Sequence, residues 1–147
     1  MAGVVIVSHG SYCIGLIDSL KLLVGENAPT GGWIEAIPLE SLDSPETLQE
    51  KLEKAISRVN DGKGVLILVD LFGGTPSRVA SLLMAENPNI EIVSGVNLPM
   101  LIQVALERDK TSRELAEIAV KAGAEGIVYV SEKIRESFKK SASRQNT

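Results

Sequence analysis

The chain has 147 residues, a formal net charge of −4, 44% hydrophobic residues and only 3% aromatic ones, which suits one domain with an aliphatic core. Its pI near 5.1 argues against a nucleic-acid binder, which would carry a basic face. A single cysteine, Cys13, rules out an intrachain disulfide, and there is no Cys/His cluster to hold a structural zinc.

The first apolar run, "VVIV" (4–7), follows a start with no basic segment, and it is too short for a signal peptide. No run reaches the roughly 18 apolar residues of a membrane span, so a cytoplasmic domain is the expectation. Three more runs read as strands: "WIEAI" (33–37), "VLILV" (65–69) and "IEIV" (90–93). The first and third of the four are continuous and β-branched, as in strands covered on both faces. The second and fourth carry a glutamate, which suits places nearer a sheet edge.

Helical patterns fill the gaps. Residues 14–24 put Leu16, Leu20 and Leu23 on one stripe, and 45–59 put Leu48, Leu52, Ile56 and Val59 on another. Ser44-Pro45 is a cap followed by proline at the first helical position. Residues 76–86 follow "GGTP" with Val79, Leu82 and Leu83, and 99–108 follow "VNLP". A further helix over 112–123 starts at Thr111, with Glu114 placed for a capping box and Gly123 as its end. "GIVYV" (126–130) reads as a last short strand, and the remaining tail is polar. Alternating strands and helices predict an α/β three-layer sandwich with a mainly parallel sheet and right-handed crossovers.

Ligands of such sheets bind beyond the carboxyl ends of the strands. Three polar ends fall there: Ser8-His9-Gly10, then Asp70 before "LFGGTPS", then Ser94-Gly95-Val96-Asn97. His9, the only histidine, is either a solvated strand end or a nucleophile, and Gly10 leaves bare backbone beside it for a partner group. Ser8 adds a hydroxyl that points toward this site or away from it. Asp70 either caps its own turn or accepts one ring N–H, which fixes the tautomer and frees the other nitrogen. The second role requires the first and third strands to be neighbours. "GGTPS" is either an ordinary turn or an amide-lined anion site at a helix start. It is not a Walker loop, and no "GxGxxG" occurs. Leu71 and Phe72 are either core or docking residues. Together the parts suggest a phosphohistidine station. A histidine phosphatase also opens with a strand ending in His-Gly, but it needs a preceding arginine and a second histidine, both missing here.

"VIVSHG" (5–10), "GVLILVDLFGGTPSRVAS" (64–81) and "SGVNLPML" (94–101), with "GWIEAIPL" (32–39) in the second strand, resemble the enzyme IIA component of the mannose family of the bacterial phosphoenolpyruvate-dependent sugar phosphotransferase system. The resemblance covers about residues 3–130. It implies a phosphotransferase domain over 1–130 and a polar C-terminal helix or tail over 131–147. It implies that His9 accepts a phosphoryl group from phospho-HPr and passes it to a histidine of enzyme IIB, on a separate polypeptide. Asp70 would hold the other ring nitrogen, and Gly10, Gly73, Gly74, Thr75 and Ser77 would form the phosphate-binding set. It also implies a homodimer whose last strand is antiparallel and exchanged. No metal or organic cofactor is expected, and the membrane is met only through the transporter. The phosphotransferase subunit of dihydroxyacetone kinase shares the fold and the histidine and stays as an alternative. So do a phosphorylation-dependent regulatory module and a flavodoxin-like nucleotide binder.

Overall fold

Strand and helix alternate along most of the chain: β1 (Gly3–His9), α1 (Tyr12–Val24), β2 (Ile34–Leu39), α2 (Pro45–Val59), β3 (Val65–Val69), α3 (Thr75–Glu86), β4 (Ile90–Ser94), α4 (Leu98–Leu106), α5 (Ser112–Glu125) and α6 (Val130–Gln145). The structure, a computed structural model, describes residues 1–25 and 32–145. The four strands form one parallel sheet in the order β2-β1-β3-β4. β1 and β3 are central and buried along nearly their whole length, and the two glutamate-bearing strands are the edges, as their sequences predict.

Side chains alternate across the sheet, and each face has its own core. Val4, Ile6, Leu66 and Leu68 pack with Leu20, Leu101 and Leu115 of α1, α4 and α5. Val5, Val7, Ile67 and Val69 pack with Leu48, Leu52, Val79 and Leu83 of α2 and α3. Burying one such leucine contributes about 1.5–3 kcal/mol, so the aliphatic content is enough for two cores. Polar signals set the helix starts. The Ser44 hydroxyl accepts from the Thr47 amide and the Thr47 hydroxyl accepts from the Ser44 amide. Thr111 and Glu114 form the expected reciprocal box on α5.

The structure corrects four expectations. Leu23 is exposed, and Val24 is the last-turn residue of α1 that meets the core. Leu82 is exposed because the buried stripe of α3 runs through Pro76, Val79, Ala80 and Leu83, and Leu82 falls between its rows. Gly123 does not end its helix. α5 continues to Glu125 with Gly126 as its cap, and a Cβ at Gly123 would lie 2.8 Å from the Met100 Cε atom. Gly123 is therefore a packing glycine between α4 and α5. Finally, 126–130 forms no strand. Residues 127–129 lie outside regular structure, and α6 begins at Val130. A strand needs a hydrogen-bonded neighbour, and this segment pairs with none of the four strands described.

Candidate functional site

The parallel sheet brings the carboxyl ends of β1, β3 and β4 to one edge. β1 and β3 are direct neighbours, with Val7 opposite Val69, so His9 and Asp70 leave the sheet side by side. The His9 amide donates to Asp70 Oδ2 at 2.9 Å, and His9 Nδ1 lies 2.8 Å from the same oxygen. The Leu71 amide donates to the other oxygen, Oδ1, at 2.9 Å. Both carboxylate oxygens are thus engaged, and both hold the turn that follows their own strand or its neighbour. The Asp70 side chain is 14% exposed and the His9 side chain 47%. Burial pushes the Asp70 carboxyl up, but the His9 amide, the His9 ring and the Leu71 amide together outweigh it and hold it below the usual carboxylate range.

An ionised Asp70 accepts a proton-bearing Nδ1, which leaves Nε2 as the free ring nitrogen. Nε2 faces the start of α3. A Cβ at Gly74 would lie 3.0 Å from His9 Cε1 and 3.4 Å from Nε2, so a side chain there would crowd the ring. Gly74 is the N-cap of α3 and makes no side-chain cap bond. Pro76, in the first turn, has no amide hydrogen, so Thr75 and Ser77 remain as first-turn donors. Positive charge from the helix dipole adds to theirs. The arrangement offers a nucleophilic nitrogen beside uncapped amides, which is what an incoming phosphoryl group requires.

The other predicted residues take distinct places. Gly73 has φ +90°, which bends the chain from Asp70 into α3, and Gly10 has φ +61° directly after His9. Ser77 is a largely buried residue in the first turn of α3. Asn97 works structurally: its Oδ1 caps α4 by accepting from the Met100 amide, and its Nδ2 donates to the Gly123 carbonyl. Leu71 and Phe72 are exposed, Phe72 by 90%, so they are surface residues rather than core.

Two features escape a reading of residue types. Tyr12 donates from its hydroxyl to the Val96 carbonyl at 2.8 Å, tying the first turn of α1 to the loop after β4. Nothing local in the sequence joins residues so far apart. Ser8 is fully buried and points away from the open site, with its hydroxyl in the turn around Gly10. Cys13 is buried under the same turn, and burial pushes its thiol up.

The family model described as "PTS system fructose IIA component" matches residues 3–121. The chain belongs to this IIA family. It is 36% identical over 126 residues to the mannose-specific EIIAB component of Escherichia coli, covering 84% of this chain. The chain spans only 38% of the length of that relative. It is also 36% identical over 109 residues to the fructose-specific EIIA component of Bacillus subtilis, covering 74% of this chain and 72% of that one. Among solved structures, the phosphotransferase system component EIIA from Streptococcus agalactiae superposes with a TM-score of 0.79 at 31% identity, over 90% of this chain and 99% of that one. IIA components are phosphotransferases, and these matches do not favour a kinase subunit or a phosphorylation-dependent regulatory module. Among the described residues, no helix is long and apolar enough to cross a membrane.

Proposed function

We propose that this chain is the phosphocarrier of a sugar phosphotransferase system, taking a phosphoryl group from phospho-HPr onto His9 and passing it to a histidine of the cognate enzyme IIB. The observation that carries the proposal is the shared Asp70 oxygen: one atom holds both the His9 amide and Nδ1, while Nε2 faces the uncapped start of α3. In the forward step the Nε2 lone pair attacks phosphorus. The bond from phosphorus to the donor ring nitrogen breaks, and that nitrogen keeps the electron pair. Positive charge then develops on the His9 ring, and the Asp70 carboxylate offsets it through the Nδ1–H bond. The Gly74, Thr75 and Ser77 amides face the phosphoryl oxygens, and Gly10 and Gly73, which carry no side chain, leave open space for the group to approach. Protein groups contribute mainly position and field, as is general for phosphoryl transfer.

Exposed Leu71 and Phe72 beside the site support a docking role for both partners, which meet His9 on an open surface. The phosphocarrier unit spans 1–130 and works in the cytoplasm, reaching the membrane only through the transporter. It acts as a homodimer with 126–130 exchanged. Two facts support that assembly: β4 is an edge strand with one side unpaired, and Ile127, Tyr129 and Val130 expose large apolar side chains.

The test is direct. The protein is incubated with enzyme I, HPr and phosphoenolpyruvate, and bound phosphoryl is measured. Wild type becomes labelled and His9→Ala does not. Unlabelled wild type, or equal labelling of His9→Ala, overturns the proposal.

A further inference from the structure

α1 begins without the usual cap. Ser11 occupies the N-cap position, yet its side chain accepts no amide of the helix. The acceptor comes from the strand instead: Ser8 Oγ takes the hydrogen bond of the Cys13 amide at 2.9 Å. The same hydroxyl donates to the Gly10 carbonyl at 3.0 Å. One buried side chain therefore bridges the end of β1 and the first turn of α1, from Ser8 to Cys13, and His9 sits inside that span. Gly10 turns at φ +61°, where the backbone is otherwise free to move. Its amide donates to the Leu39 carbonyl on β2, so the Ser8 hydroxyl fixes the peptide plane on its other side.

We infer that Ser8 is a positioning residue: its hydroxyl clamps the turn so that the His9 amide and Nδ1 reach the same Asp70 oxygen. The link is geometric. Two donors of one residue converge on one acceptor, at 2.9 and 2.8 Å, and that is possible only while the His9 backbone keeps its orientation. Without the hydroxyl, the Cys13 amide loses its acceptor in a buried place, the Gly10 carbonyl keeps only the Cys13 thiol at 3.9 Å, and the turn relaxes to recover a partner. The ring then leaves Asp70, and its proton no longer prefers Nδ1. Ser8 touches neither ring nor phosphoryl group, and it acts through the backbone of the next two residues.

This inference deepens the phosphocarrier reading, but its main test needs no partner. The chain has one histidine, so nitrogen-15 NMR of the full chain reads a single ring. Ser8→Ala lowers the ratio of Nδ1–H to Nε2–H rings by about fivefold, the equilibrium effect of one modest hydrogen bond. The initial rate of phosphoryl acceptance falls by less than that factor, because it follows the fraction of Nδ1–H rings rather than the ratio. Ser8→Thr, which restores a hydroxyl, recovers the ratio. A wild-type ratio in folded Ser8→Ala overturns the inference, even if the rate falls. An equal shift in Ser8→Thr overturns it too, because the hydroxyl is then not the cause. If Ser8→Ala does not fold, Ser8→Cys makes the same comparison with the same outcomes, its thiol being a weak donor and acceptor of similar shape. Failure of wild type to accept any phosphoryl group counts against the phosphocarrier reading alone.

Discussion

Asp70 uses each of its oxygens differently, and that decides what a neutral replacement does. Oδ2 serves the His9 amide and ring, and Oδ1 serves the Leu71 amide. Asparagine has one oxygen for these two tasks, and its amino group repels whichever donor it faces. Asp70→Asn is predicted to slow phosphoryl acceptance by about a hundredfold, the lower end of what a lost proton-holding group costs. Stopped-time labelling checks this, and an unchanged rate removes Asp70 from the mechanism. The same substitution has a pH signature. A carboxyl held below its usual range contributes stability above its unfolded value of about 3.9, and that contribution is lost as pH falls through the lower folded value. Asp70→Asn is therefore less stable than wild type at pH 7, and the gap starts to narrow only below about pH 4 and is gone once pH lies under the lower folded value. Urea midpoints across this pH range measure it. The residue types at this site were legible because strand ends are where an α/β sheet exposes side chains. The direction of the Ser8 hydroxyl was not. A serine at a strand end serves ligand or backbone equally well, and only the path of the next five residues decides.

Helix starts were legible where a side chain performs the capping. Ser44-Pro45 and Thr111 with Glu114 announce themselves, because the donors and acceptors lie within three residues. Ser44→Ala removes the side-chain acceptor of the Thr47 amide and leaves the other half of the box, the Ser44 amide donating to the Thr47 hydroxyl, in place. It is predicted to cost about 1 kcal/mol, read as a lower denaturant midpoint with an unchanged slope. An unchanged midpoint rejects the cap as a source of stability. The uncapped start of α3 is the informative contrast. There the sequence places glycine, threonine and proline, and the first-turn amides have no side-chain acceptor. Exposed Leu82 and the packing glycine Gly123 escaped the pattern for a different reason. Hydrophobicity and helix-breaking are intrinsic to a residue, whereas burial depends on what the neighbouring element presents.

At the scale of the molecule, the order β2-β1-β3-β4 places the two chemically distinctive strands at the centre, and their ends become one site without any long loop. "GIVYV" carries the composition of a strand but pairs with none of the strands among the described residues. Under the proposed exchange that partner is β4 of a second copy. The full chain is predicted to sediment as a dimer, and Ile127→Asp, which puts a charge on the exposed apolar segment, shifts it toward monomer. A monomeric wild type, or a variant that stays dimeric, contradicts the exchange.

The central claim is that Asp70 holds the proton at Nδ1 so that Nε2 of His9 carries the phosphoryl group. Phosphorus–nitrogen couplings in the nitrogen-15-labelled phosphoprotein read the bonded atom directly, and the single histidine leaves no ambiguity of assignment. The expected result is phosphorus on Nε2 with the proton retained at Nδ1. Phosphorus on Nδ1, or on any other residue, contradicts it.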